Sequence, residues 1–225
     1  MTRDSVGGRD EPAADLTPRT VRRTYDRIAD HFARTQAHPW PEINSFLANR
    51  STDGLRAGVD VGCGNGRHLG PMADLVDRAV GVDASRPMLR TATDRVGGRE
   101  DVTLLQADAV RLPLATDAVD LAVYVATLHH LPGRDRRLAS LDELARVLRP
   151  DGRALVSAWS TTHDRFDRVE GFDTTVDWTL PDGTRVGRYY HIYAPAEFET
   201  DLADSDLRVE RSFVASGNCY ARVGV

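Results

Sequence analysis

The sequence predicts an α/β fold, a doubly wound and mostly parallel sheet that ends in an antiparallel pair. Short valine-rich runs alternate with segments of helical periodicity, and that alternation builds parallel sheets through right-handed crossovers. The run Leu121-Ala122-Val123-Tyr124-Val125 is apolar at every position, as a central strand covered on both faces must be. Near the end, Leu207 to Val214 and Cys219 to Val223 read as the antiparallel pair.

In chain order, Met1 to Leu16 is rich in Gly, Asp and Arg without periodicity and reads as a flexible leader, leaving 17 to 225 as one domain. Thr17-Pro18 has the N-cap and first-turn chemistry of a helix start. Val21, Tyr25, Ile28, Ala29 and Phe32 follow at helical spacing, to about Ala33. His38-Pro39-Trp40-Pro41 is a rigid turn, and a second helix, about Glu42 to Asn49, leads to the first strand, Ala57 to Val61. After it, Leu69-Gly70-Pro71 interrupts any long helix, so the first crossover is short or broken. Val80 to Asp83 is the second strand, Pro87 to Ala92 opens the next helix, and Val102 to Gln106 is the third strand.

Asp117 and Asp120 precede the strand Leu121 to Val125, which empties into Ala126-Thr127-Leu128-His129-His130-Leu131. Leu138, Leu141, Leu144, Ala145 and Leu148 mark a helix closed by Arg149-Pro150-Asp151-Gly152, and Ala154 to Trp159 makes the next strand. From 161 to about 187 the chain is polar, with Gly171 and the turn Pro181-Asp182-Gly183. This is an inserted excursion, a hairpin or a lid over the site. Arg188-Tyr189-Tyr190-His191 ends it, and Pro195 to Leu202 is a short helix before the terminal pair.

All 29 basic residues are Arg, and the 34 acidic ones divide into 26 Asp and 8 Glu. An Asp-heavy, Lys-free chain suits a high-salt cytoplasm, where short hydrated carboxylates keep a screened surface soluble. A GC-rich genome, which favours Arg codons, produces the same bias. The formal net charge of -5 provides no global basic footprint for nucleic acid, so an RNA substrate needs a local patch or a partner. No run approaches the ~20 apolar residues of a membrane helix, and the first residues lack the apolar core of a signal peptide, so a cytoplasmic location and no membrane partner are expected. Cys63 and Cys219 are too few for a disulfide framework or a zinc site and are expected to stay reduced.

Gly62, Gly64 and Gly66 follow the first strand at every second position, and Asp83 stands at the tip of the second. Such a loop lets backbone approach a ligand, and a carboxylate at that tip accepts hydrogen bonds from a ribose diol. Alone, the loop is equally an ordinary strand-to-helix turn; with Asp83 it becomes a nucleoside-cofactor site. The dinucleotide pattern G-x-G-x-x-G fails because residue 67 is Arg. The spacing D-x-G-x-G-x-G from Asp60 instead resembles motif I of the class I S-adenosylmethionine methyltransferases, whose cofactor carries a sulfonium and an amino acid and no pyrophosphate. His129 and His130 lack a third partner at metal spacing, so no metal site is assigned and they read as site residues or as a polar loop cap.

Five segments together resemble the tRNA wobble-uridine carboxymethyl methyltransferases, the family shared by the eukaryotic enzyme and the methyltransferase domain of the AlkB-like tRNA hydroxylase. They are Thr24 to Phe32 with Trp40-Pro41, the loop from Gly62 to Gly66, Val125 to His130, Leu148 to Gly152, and Arg188-Tyr189-Tyr190-His191. The resemblance covers about residues 20 to 223 and, with the composition, suggests an archaeal, halophilic member. It implies the seven-stranded, Rossmann-like class I methyltransferase fold. It also implies S-adenosyl-L-methionine as cofactor, held by Asp60 and the loop Gly62, Cys63, Gly64, Asn65 and Gly66, with Asp83 and Ala84 at the ribose. Asp108 and Ala109 would lie at the adenine, and Tyr25, His31, Phe32, Met88 and Val125 around the cofactor.

The implied reaction methylates the carboxylate of a 5-carboxymethyl group on wobble uridine. A carboxylate is already ionised at neutral pH, so such chemistry needs in-line positioning and desolvation and no general base. A guanidinium is the natural holder of that carboxylate, with Arg188 the first candidate and Arg34 the second. Tyr189, His191, His129 and His31 complete the candidate catalytic group, although Arg188 to His191 also reads as an aromatic packing patch with a surface Arg. Two departures stand out: the family's Thr-Arg after H-F-x-x is here Thr35-Gln36, which removes an expected cation, and 161 to 187 lacks an acidic-aromatic stretch of the eukaryotic enzymes. Members work with a small zinc-ribbon activator protein that pairs with the edge of the third strand, here Val102 to Gln106, a run without a charge and expected to leave Val102 and Leu104 uncovered. The alternatives are a small-molecule methyltransferase acting on a quinone or metabolite and a cofactor-binding scaffold without chemistry.

Overall fold

The computed structural model describes residues 16–48 and 54–225; nearly all of the expected leader lies outside the described residues. Helix α1 (Pro18–Thr35) begins at Thr17, whose hydroxyl accepts from the Thr20 N–H while the Thr20 hydroxyl accepts from the Thr17 N–H. This reciprocal capping box fixes the helix start. Helix α2 (Pro41–Ala48) buries Ile43, Phe46 and Leu47. The order continues β1 (Ala57–Val61), α3 (Leu69–Ala73), β2 (Arg78–Asp83), α4 (Arg86–Val96), β3 (Val102–Gln106) and β4 (Val119–Val125). Then follow α5 (Arg134–Val147), β5 (Leu148–Trp159), β6 (Phe172–Thr179), β7 (Arg185–Ile192), α6 (Pro195–Ala203), β8 (Arg208–Ala215) and β9 (Asn218–Gly224).

Seven strands form one sheet in the order β3-β2-β1-β4-β5-β9-β8. The first five are parallel; β9 runs antiparallel to β5, and β8 antiparallel to β9. The strand order reverses between β1 and β4, and in open α/β sheets ligands bind at the carboxyl ends beside that reversal. The apolar run of β4 has the expected cause: Ala122 and Tyr124 enter the core beneath α5, while Leu121 and Val123 enter the core beneath α2 and α3.

Two elements differ from expectation. β5 starts at Leu148, not Ala154: Leu148 pairs with Val119 and Arg153 with Leu121, so the turn closing α5 becomes an irregularity inside the ladder. It is stitched there by Arg149, which donates to Asp120 Oδ1 at 2.6 Å and to the Asp117 carbonyl. The excursion is a hairpin, β6 paired antiparallel with β7, and it reaches Ile192, beyond the expected end near 187. Trp178 and Val186 pack it onto Ile28, Ala29 and Met88, so the hairpin rests on α1 and α4 as a second, separate sheet.

Among the described residues no further strand pairs with either edge of the main sheet, but the two edges differ. β8 carries Arg208, Glu210 and Arg211 and a register shift between Val209 and Arg211, devices that discourage pairing. β3, Val-Thr-Leu-Leu-Gln, has neither charge nor register shift. Its side chains are better covered than expected, since Val102 and Leu104 pack against the cluster of Cys63, Leu69 and Leu89; the outer row of backbone groups is what lacks a strand partner. Among the described residues no helix is long and apolar enough to cross a membrane.

Candidate active site

A cavity of about 450 Å³ opens at the carboxyl ends of β1, β2 and β4, roofed by α1 and the hairpin. The glycine loop forms its floor. Gly62 and Cys63 donate their N–H groups to the Val82 carbonyl at 2.7 and 3.0 Å, which holds the loop against β2. A Cβ at Gly62 would lie 2.1 Å from Thr127 Oγ1, whereas one at Gly64 would meet only Phe32, at 3.8 Å. Of the two, Gly64 therefore leaves open space toward the cavity and Gly62 makes room for protein. Gly66 does not line the cavity; its missing Cβ lets α4 approach, at 3.0 Å from the Ala92 Cβ.

Asp83 closes the loop. Oδ2 accepts from the Gly64 N–H and Oδ1 from the Ser85 N–H, both at 2.8 Å. Burial pushes its pKa up to about 6 in spite of those two donors. Each oxygen keeps a further lone pair for a ligand hydroxyl. Beside it, Ser85 caps α4 and Ala84 and Met88 line the wall. Asp108 and Ala109 line the far end; Asp108 closes its own turn by accepting from the Val110 N–H and also pairs with Arg136 at 2.7 Å. Asp60 is the exception: it is 2% exposed, does not line the cavity, and sits 3.7 Å from His68 Nδ1 beneath the loop, with Oδ2 lacking a hydrogen bond.

Opposite the loop the cavity becomes aromatic, with Tyr25, Phe32, Trp178 and Tyr190. The Tyr25 hydroxyl donates to His130 Nε2 at 2.6 Å, and His130 Nδ1 donates to the Tyr189 carbonyl at 2.9 Å, which defines the tautomer. His129 Nδ1 accepts from the Trp159 N–H at 2.8 Å, so its hydrogen sits on Nε2. Burial lowers His130 to about 3 and holds His129 well below its ordinary value, so both imidazoles are neutral at pH 7. The Arg188 guanidinium lies over the Trp178 and Tyr190 rings, 4.6 and 5.2 Å from their centroids, at the cavity wall.

Strand alternation splits the group Arg188-Tyr189-Tyr190-His191. Arg188 and Tyr190 face the cavity; Tyr189 and His191 take the other face and do not line it. There the Tyr189 hydroxyl donates to Asp173 Oδ1 at 2.9 Å, and His191 bridges Asp173 and Glu197 at 2.7 Å each. His31 also stays outside the cavity, accepting from Trp178 Nε1 at 3.0 Å and so orienting that ring. Arg34 is exposed on the outer side of α1 and takes no part in the cavity. Val125, Cys63 and Asn65 line it.

Several lining residues carried no sequence signal. Arg67 had registered only as a broken glycine pattern, and Trp178 lay in a polar stretch. Ala126, left-handed with φ 55° at the end of β4, turns the chain into the site; a non-glycine residue in that region marks local strain.

A family model described as "Methyltransferase domain" matches residues 59–156. A putative methyltransferase of Encephalitozoon cuniculi is 32% identical over 206 residues, which cover 89% of this chain and 92% of that protein. The tRNA (carboxymethyluridine(34)-5-O)-methyltransferase of Saccharomyces cerevisiae is 34% identical over 173 residues, covering 75% of this chain and 60% of the yeast protein. The enzyme of that name from Xenopus tropicalis, alkbh8, is 37% identical over 148 residues, 66% of this chain and 22% of its own length. The chain thus spans 22% to 60% of these two tRNA-modifying relatives. In fold it is similar to the CcbJ methyltransferase of Streptomyces caelestis, with a TM-score of 0.73 at 18% identity over 90% of this chain and 98% of that one. It is also similar to a chain in the complex between the Haloferax volcanii Trm112 methyltransferase activator and the putative methyltransferase, with a TM-score of 0.67 at 18% identity over 91% and 96%.

Proposed function

This chain belongs to the S-adenosylmethionine-dependent methyltransferase family, and we propose that it methylates a carboxylate on a tRNA uridine to the methyl ester, acting on a 5-carboxymethyl group at the wobble position. The cofactor is S-adenosyl-L-methionine, which supplies an electrophilic methyl group on a sulfonium. Asp83 binds the ribose hydroxyls, Gly64 gives the backbone approach, and Met88, Asp108 and Ala109 bound the adenine end.

One observation carries the acceptor assignment: a guanidinium, Arg188, held between aromatic rings at the cavity wall opposite the glycine loop. Arg188, seated on the Trp178 and Tyr190 rings, binds the acceptor carboxylate, and the hairpin excludes water. Tyr25 and the neutral His129 and His130 shape the cavity without drawing a proton, because an ionised carboxylate has none to lose. The two tRNA-modifying relatives support this acceptor class.

The working form is a heterodimer with a small zinc-ribbon activator paired along β3, in the cytoplasm of a high-salt organism. The uncharged edge supports the partner, the neighbouring fold seen with an activator agrees with it, and the Asp-rich, Lys-free composition supports the setting. Mass spectrometry of tRNA nucleosides from a deletion strain tests the function. Loss of a wobble-uridine methyl ester with accumulation of the free carboxylate is expected. Unchanged nucleosides with an altered quinone or metabolite profile would favour a small-molecule acceptor, and no change in either would leave a cofactor-binding scaffold.

A further inference from the structure

Arg67 is a charged group in the cavity that the proposed reaction leaves without a task. It follows Gly66, is half-buried, and its Nη1 donates to Gln36 Oε1 at 3.3 Å while the guanidinium lies 5.1 Å from the Trp40 ring centroid. No carboxylate among the described residues stands within ion-pairing distance of it, whereas Arg22 and Arg136 at the same cavity have Asp26 and Asp108. Burial holds its pKa below the ordinary arginine value.

The surroundings are braced. Asn65 Nδ2 donates to the Gln36 carbonyl at 2.9 Å, and Arg95 donates to the carbonyls of Asn65 and Ala37 at 2.9 and 3.0 Å, tying the end of α1 to the glycine loop. Arg95 and the buried Asp60 act on it from beyond ion-pairing distance and with opposite sign, so a half-buried guanidinium hydrogen-bonded to a neutral amide and lying over a ring keeps its fork for an incoming carboxylate.

The cofactor reading says which carboxylate. Asp83 at the tip of β2 takes the ribose, and Asp108 and Ala109 beyond β3 bound the adenine. The remaining, amino-acid end must then cross Gly64 toward the opposite side of the loop, where Arg67 begins. We propose that Arg67, seated on Gln36 and Trp40, binds the α-carboxylate of the cofactor's amino-acid end. The cavity then holds one arginine for each carboxylate, Arg67 for the cofactor and Arg188 for the acceptor. This rests on the cofactor assignment above and not on the identity of the acceptor.

Calorimetric titration with two ligands tests it: S-adenosylhomocysteine, which has the amino-acid end, and 5′-methylthioadenosine, which lacks it. Arg67→Met should weaken the first by about ten- to a hundredfold, the range for a lost charged hydrogen bond, and leave the second unchanged. Unchanged 5′-methylthioadenosine binding also certifies the fold. Because Arg67 Nη1 and Gln36 Oε1 meet at 3.3 Å, Gln36→Arg added to Arg67→Met delivers a guanidinium to the same place and should restore most of the affinity. Equal weakening of both ligands, no weakening of either, or a double variant as weak as the single would overturn the assignment. Failure of the unaltered protein to bind S-adenosylhomocysteine at all would overturn the cofactor reading itself, which separates the two failures.

Discussion

Replacing Asp83 with Ala separates ligand binding from folding. The carboxylate accepts from the Gly64 and Ser85 N–H groups at 2.8 Å each, and truncation leaves both without an acceptor, costing about 1–3 kcal/mol apiece. Burial opposes this: with its pKa pushed up to about 6, the ionised side chain destabilises the fold at neutral pH by at most roughly 3 kcal/mol, which truncation removes. The loss of about 2–6 kcal/mol exceeds the gain, so the thermal midpoint should fall by several degrees. Ligand affinity has no such offset. Loss of two charge-assisted hydrogen bonds to the ribose should weaken S-adenosylhomocysteine at least tenfold by calorimetry, about 1.4 kcal/mol. The sign of the pH dependence follows. The ionised carboxylate is the acceptor, so affinity should be flat above pH 7 and fall as pH drops through about 6. For folding the sense is opposite: a raised carboxylate pKa contributes stability that is present below the unfolded value and lost as pH rises through about 6. Unaltered affinity in Asp83→Ala, or an affinity indifferent to pH between 5 and 7, would refute the ribose assignment; the pH range is about one unit either side of that pKa.

Arg188→Met should lower kcat/KM for a carboxymethylated uridine substrate by about a hundredfold, on the scale of a lost charge-assisted pair, while S-adenosylhomocysteine affinity stays within error; equal loss of both would move Arg188 out of the acceptor site. Thr103→Asp on β3, where the side chain is exposed and not part of the core beneath the strand, should weaken co-purification with a zinc-ribbon activator, since it places an unpaired charge at the expected interface, and intact complex formation would point to another surface. His191 is the pH-sensitive fastening of the hairpin. Hydrogen bonds to Asp173 and Glu197 raise its pKa against the opposing effect of burial, so its contribution to stability is complete below the unfolded value near 6.5 and declines as pH rises past it. Amide exchange in 172–192 should accelerate from pH 6 to 9, after correction for intrinsic rates, by more than in His191→Gln; identical profiles would remove the histidine from that role.

The strands and helices of this chain were legible in one dimension because burial is periodic along an element. Val102 to Gln106 reads as β3 with its observed bounds, Thr17-Pro18 starts α1, and Leu69-Gly70-Pro71 limits α3 to five residues. Gly64 and Asp83 were legible for a related reason: a loop and a strand tip on adjacent parallel strands must meet, whatever surrounds them. The half of Arg188 to His191 that reaches the cavity depends on which face of β7 the hairpin turns to α1, and that is decided by Trp178 and Val186 packing on Ile28, Ala29 and Met88. Arg34 lay on the wrong side of α1, Asp60 beneath the loop, and Arg67 beside Gln36 thirty-one residues away in sequence. Side chains that converge from separate elements leave no periodic trace in any one of them. Sequence therefore determined the elements and the glycine loop, while only the packing of α1 and the hairpin over that loop decided which charges and rings share the cavity.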